Sequence, residues 1–192
     1  MRLLASIFTA LLALPVAAQD TMRPQEADRL SRFGVVAGDA LLTALAHGSP
    51  QDVAALTVAL SGEPQVAFDP SLSGEWSCRT LKLGGLAPLV VYSPFKCRLT
   101  LDNRGVQLEK LSGSQRTSGR IEMREGRAVY LGVGFVAGQT PPPYADLAPD
   151  FNGDGSIYPD VALFERVSET RARLMFPVPT VESPFDILEL TR

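Results

Sequence analysis

The chain has 192 residues, 45% hydrophobic and 20% charged, with a formal net charge of −3, one His and two Cys. That length suits one globular domain with a true hydrophobic core, since domains cluster at roughly 100–150 residues. One His and two Cys exclude a His/Cys zinc cluster and disfavour a His-dependent triad, and mild acidity gives no reason to expect nucleic acid.

Arg2 precedes an apolar run over residues 3–14 that is too short to cross about 30 Å of hydrocarbon. Val16 and Ala18 then place small residues where a signal peptidase reads them, just before Gln19. Residues 1–18 are therefore expected to be a cleaved signal peptide. The mature protein is expected in the periplasm or outside the cell, with no transmembrane segment. In that oxidising setting Cys78 and Cys97 are expected to pair. Closing a loop of that length stabilises by about 3 kcal/mol on the chain-entropy view.

Residues 19–62 read as an N-terminal helical hairpin. Leu30, Phe33, Ala37, Leu41 and Leu45 form an amphipathic stripe over 24–47, which Gly48 stops. Ser49-Pro50-Gln51-Asp52 is a restart signal, with Ser as N-cap and Pro at the first helical position. Val53, Leu56 and Leu60 continue one buried face up to Gly62. His47 falls in the last turn of the first helix, where the dipole favours a cation.

Residues 63–192 change to a period of two. Phe95, Cys97, Leu99 and Leu101 alternate with Lys96, Arg98 and Thr100, as in a strand with one wet face. Further strands are expected around Trp76, at 89–92, 106–111, 121–123, 129–135, 161–167, 171–176 and 185–190, separated by turn residues. About eight or nine strands without intervening helices predict a mainly β fold, an antiparallel barrel or barrel-like sandwich. Residues 138–156, with three successive prolines, are expected to form a surface loop.

Candidate chemistry is sparse. Asp150, Asn152 and Asp154, followed by Gly155 and Ile157, match the first two-thirds of a calcium loop, but position 12 is Val161 instead of Glu. The same residues also make a good turn, so calcium is the one ion considered and no other cofactor is expected. Residues 78–127 carry ten Lys or Arg against four acids, whereas 139–165 carry five acids and no base. Within the basic stretch, the polar segment over 112–119 contains Ser114, Gln115 and Arg116, which could hold a carboxylate or phosphate through Arg116. It lacks the Gly-Lys-Ser/Thr ending of a Walker loop. Gly74-Glu75-Trp76 resembles the Gly-x-Trp of lipocalin-type barrels. That resemblance implies a Trp76 closing one barrel end, with an Arg stacked on it, a role suited to Arg173 or Arg171.

Taken in order, Trp76-Ser77-Cys78-Arg79, Lys82-Leu83-Gly84, Phe95-Lys96-Cys97-Arg98, Lys110-Leu111-Ser112-Gly113-Ser114-Gln115-Arg116, Tyr130-Leu131-Gly132 and Pro177-Val178-Pro179 through Leu188-Glu189-Leu190 are similar to the bacterial domain-of-unknown-function family numbered 4893. The resemblance spans most of the mature chain and implies an exported protein with paired cysteines and no activity to carry across. The expected function is non-enzymatic binding of a small or extended ligand, in a barrel mouth or on the Arg-rich strand face, with Trp76, Ser114, Gln115, Arg116 and Arg173 as candidate contacts. Two alternatives stand beside it. One is an envelope protein-interaction or inhibitor module using the 141–154 loop, and the other is a hydrolase with unassigned carboxylates.

Overall fold

A computed structural model describes residues 21–65 and 68–192, so the expected signal peptide lies outside the described residues. The helical lead precedes the β body in three segments, α1 (Pro24–Ser31), α2 (Phe33–His47) and α3 (Pro50–Leu60). The single helix expected over 24–47 is divided at Arg32, whose φ of −88° and ψ of 1° leave the α-helical range. The break lets α1 lie on a different strand from α2. The Ser49 N-cap forms as expected, its Oγ accepting the Asp52 N–H at 3.1 Å. Of the expected stripe, Leu45 turns to solvent, while Ala37, Ala40 and Ala44 face the sheet. Small side chains there let the helix backbone approach the strands closely.

Nine strands follow: β1 (Gly74–Leu83), β2 (Leu89–Val91), β3 (Phe95–Asp102), β4 (Gly105–Lys110), β5 (Gln115–Arg124), β6 (Arg127–Val136), β7 (Ile157–Ser168), β8 (Arg171–Pro177) and β9 (Phe185–Thr191). Every pairing is antiparallel, and β9 returns to β1 from Ser77↔Thr191 to Leu83↔Phe185. That pairing closes an eight-stranded barrel and removes the sheet edges, and β2 is an extra strand on the end of β1. The β5–β6 turn places Glu125 at φ 48° and Gly126 at φ 77°, the primed geometry that matches strand twist in a two-residue hairpin. The polar segment over 112–119 is strand from Gln115 onward.

The sheet is buried on two sides over part of its circumference. Inside the barrel pack Trp76, Leu99, Leu108, Ile121, Phe164, Leu174 and Leu190. Outside it, Leu81, Leu83, Val129, Leu131, Val161, Leu163 and Ile187 meet the helices through Ala40, Ala44 and Leu56. Double burial explains why β6 and β7 read as nearly continuous apolar runs, whereas β3 alternates. The Cys78–Cys97 disulfide forms between β1 and β3, with Cα atoms 5.8 Å apart.

Three contacts complete the frame. Trp76 plugs one end of the barrel, its Nε1–H donating to the Leu72 carbonyl at 2.9 Å. Arg23 and Glu26 form a bidentate pair at 2.7 and 3.0 Å, and the Tyr144 hydroxyl donates to the same carboxylate at 2.7 Å. This buried triad fastens α1 to the 138–156 loop. Arg29 donates to the carbonyls of Pro159 and Pro177, where β7 runs on past the end of β8.

Candidate functional site

The barrel interior is apolar at the Trp76 end and polar at the other. The polarity follows strand parity. On β1, the inward series Trp76, Cys78, Thr80, Lys82 ends in an ammonium, and on β4 the series Val106, Leu108, Lys110 does the same. On β7, Asp160 precedes Ala162 and Phe164 on the same face, and on β9 Asp186 precedes Leu188 and Leu190. Four charged groups thus enter the barrel from positions that an unbroken core would fill with apolar side chains. Among them lies a cavity of about 60 Å³, which shares Thr80, Lys82, Lys110 and Gln115 with an adjoining space of about 120 Å³.

The cations differ in their partners. Lys82 Nζ lies 2.9 Å from Glu182, 3.7 Å from Asp186 and 3.0 Å from Gln115 Oε1. Among the described residues Lys110 Nζ contacts only the Thr80 hydroxyl at 3.2 Å and the face of Phe95, 4.3 Å from the ring centroid. Burial, reinforced by the repulsion of Lys82 and Arg116, lowers the Lys110 pKa to about 8. Arg116 donates through Nε to the Gly113 carbonyl at 3.1 Å.

The acids are held by hydroxyls. Thr117 donates to Asp160 Oδ2 at 2.7 Å, so its oxygen accepts the Tyr130 hydroxyl, also at 2.7 Å, in a relay across β5, β6 and β7. Burial pushes the Asp160 carboxyl above its ordinary range. Asp186 accepts from the Ser183 hydroxyl, and burial raises its pKa to about 6 despite Lys82. Two glycines make room for this layer. A Cβ on Gly132 would lie 2.1 Å from the Tyr130 hydroxyl oxygen, and one on Gly134 would lie 2.0 Å from the Tyr158 ring. The disulfide lies directly below, because Cys78 is two residues before Thr80 and Cys97 pairs in register with Lys110.

Of the residues expected at a ligand site, Ser114, Gln115 and Arg116 line the mouth. Trp76 and Arg173 do not. Trp76 closes the opposite end, and the Arg stacked on it is Arg192, 4.1 Å from the ring centroid. Arg173 points out of the barrel to Glu165 and the carbonyls of Ala59 and Ser61, because its position on β8 has the outward parity. Arg171 likewise turns outward, to the Val58 carbonyl. The sequence reading missed Lys82, Lys110, Thr117, Asp160 and Asp186. The available signal was a charged residue in phase with core-facing neighbours.

The 150–154 segment is shaped as a turn. Asp154 Oδ1 accepts from the Ser156 N–H, the Ser156 hydroxyl and the Ile157 N–H at 2.7–2.9 Å, while Asn152 Nδ2 donates to the Asp150 carbonyl. Among the described residues no three His, Cys, Asp or Glu side chains converge as metal ligands. No helix among them is long and apolar enough to cross a membrane.

The model of a family described as "Domain of unknown function (DUF4893)" matches residues 19–190. No curated protein matches the chain.

Proposed function

Because the chain belongs to the domain-of-unknown-function family 4893, whose description carries no activity, we propose its function from the site alone: an exported, non-enzymatic module that binds a small ligand in the open end of its barrel. The observation that carries this reading is the contrast between the two barrel ends. One is closed by Trp76 over an apolar interior, and the other holds a cavity where Lys110, Asp160, Gln115 and Tyr158 meet the apolar walls of Phe176 and Val181. Apolar walls with a few fixed polar groups are the usual composition of a small-molecule site. Keeping charges inside a barrel is costly unless something uses them. Native mass spectrometry of the protein recovered from its source cell tests the reading. A retained small molecule, released on denaturation, is the expected result, and a mass equal to the oxidised chain alone counts against it.

A second reading, acid–base hydrolysis, draws support from Asp160 and Asp186, two carboxyls raised in pKa that line one cavity. It predicts that Asp160→Asn and Asp186→Asn each abolish turnover of a chromogenic ester or glycoside. No turnover by the wild type on such a panel leaves the binding reading alone.

A further inference from the structure

We infer that the ligand of the barrel mouth is a small organic acid with a single carboxylate on an apolar body, the carboxylate seated at Lys110 beside Arg116. The inference rests on the binding reading above and specifies the ligand's chemistry.

Lys110 is the unbalanced group of the site. It is 9% exposed and has three N–H donors, for which the protein supplies one acceptor, Thr80 Oγ1. Among the described residues no carboxylate oxygen lies within 4.0 Å of its Nζ, whereas Lys82 in the same cavity has two. An ammonium buried without a carboxylate in contact is costly; Lys82 and Arg116 repel it, and Asp186 and Asp160 attract it only from beyond contact distance. Among the described residues Arg116 engages the Gly113 carbonyl alone, through Nε. A carboxylate entering the cavity brings an anion into contact with Lys110 and two acceptors for charge-assisted hydrogen bonds.

The other walls restrict what carries that carboxylate. Asp160 and Asp186 border the same cavity, so a second negative charge on the ligand meets like charge. Phe176, Pro179 and Val181 offer apolar contact in the same cavity, and Phe95 borders the adjoining space. Spaces of about 60 and 120 Å³, set against roughly 10–15 Å³ for one water, suit a molecule with on the order of ten heavy atoms.

The test titrates the oxidised, isotope-labelled protein with hexanoate, hexanamide, hexylamine and inorganic phosphate, followed by amide NMR shifts and calorimetry. Hexanoate is expected to shift Lys110, Thr117 and their neighbours saturably. Its affinity should fall tenfold or more in Lys110→Met and stay within about threefold in Lys110→Arg, as a charge-assisted bond requires. Arg116→Ala, a change on the mouth rim, gives a second measure should Lys110→Met lose its dispersed spectrum, and it should weaken hexanoate severalfold. Hexanamide or hexylamine binding as tightly as hexanoate overturns the carboxylate inference and leaves the binding site standing. Phosphate binding more tightly than hexanoate at the same residues overturns the single-charge argument. No saturable shift with any of the four overturns both the inference and the reading beneath it.

Discussion

Lys110 holds its ammonium 4.3 Å above the Phe95 ring, and that contact and the Thr80 hydroxyl at 3.2 Å, with Asp186 and Asp160 attracting it from beyond contact distance, do not offset its burial. The ring face attracts the cation but does not replace water. In the folded protein the lysine releases its proton at about 8, and in the unfolded chain near its ordinary 10.5. Between those values the unfolded state binds more protons, so this group makes stability rise with pH. Lys110→Met should be more stable than the wild type at pH 7, with the difference closing towards pH 10.5. Urea midpoints measured from pH 7 to 10.5 on both proteins check this, and a constant gap would show that Lys110 is not desolvated.

Arg192 closes the opposite end of the barrel. Its guanidinium stacks on Trp76 and donates to the carbonyls of Ser71, Leu72 and Ser73. Arg192→Ala removes the stacking and leaves those acceptors to water, at a cost of about 1–2 kcal/mol. Trp76 is the only tryptophan in the chain, so its fluorescence reports the change directly. A red-shifted emission maximum with a lower urea midpoint is expected.

Glu26 is fully buried and accepts from both Arg23 and Tyr144. Glu26→Gln leaves the Arg23 guanidinium without its charge partner, a change of about 3–5 kcal/mol for a buried pair. Tyr144→Phe removes one hydrogen bond and should cost about 1 kcal/mol. Hydrogen exchange should show faster amide exchange over residues 144–151 in Glu26→Gln, together with the fall in midpoint. Unchanged exchange in that loop would mean that the triad does not anchor it.

Asp154 uses one oxygen to cap three donors of its own turn. Asp154→Ala should cost about 1 kcal/mol through loss of that cap. Millimolar calcium should leave the melting temperature of the wild type unchanged and release no heat in calorimetry, and a calcium-dependent rise absent in Asp154→Ala would assign the loop to an ion after all.

Most strand positions were legible because the period of two is a local property. The Phe95 to Leu101 alternation needs only one wet face and one dry face to be visible. The start of β5 was hidden because Gln115, Arg116 and Ser118 look like loop residues, yet they stand on a strand that β6 pairs with from Gln115 and β4 from Ser118. The candidate site was half legible. Ser114 to Arg116 stood out as a polar run, but Lys110 and Asp160 were lost among surface charges, since their phase with core-facing neighbours says which face they share and not that this face encloses a cavity.

The two cysteines and alternating strands of the 192-residue chain by themselves pointed to a disulfide-stapled β body behind a helical lead, because side-chain period is set over a few residues. The tertiary structure alone decided three things. It chose a closed barrel through the β1–β9 ladder, put Arg192 instead of Arg173 on Trp76, and gathered Lys82, Lys110, Asp160 and Asp186 into one cavity. Each depends on strands β1, β4, β7 and β9, far apart in the chain, turning the same face to a common interior. Closing the barrel sets that relation, and no local pattern encodes it.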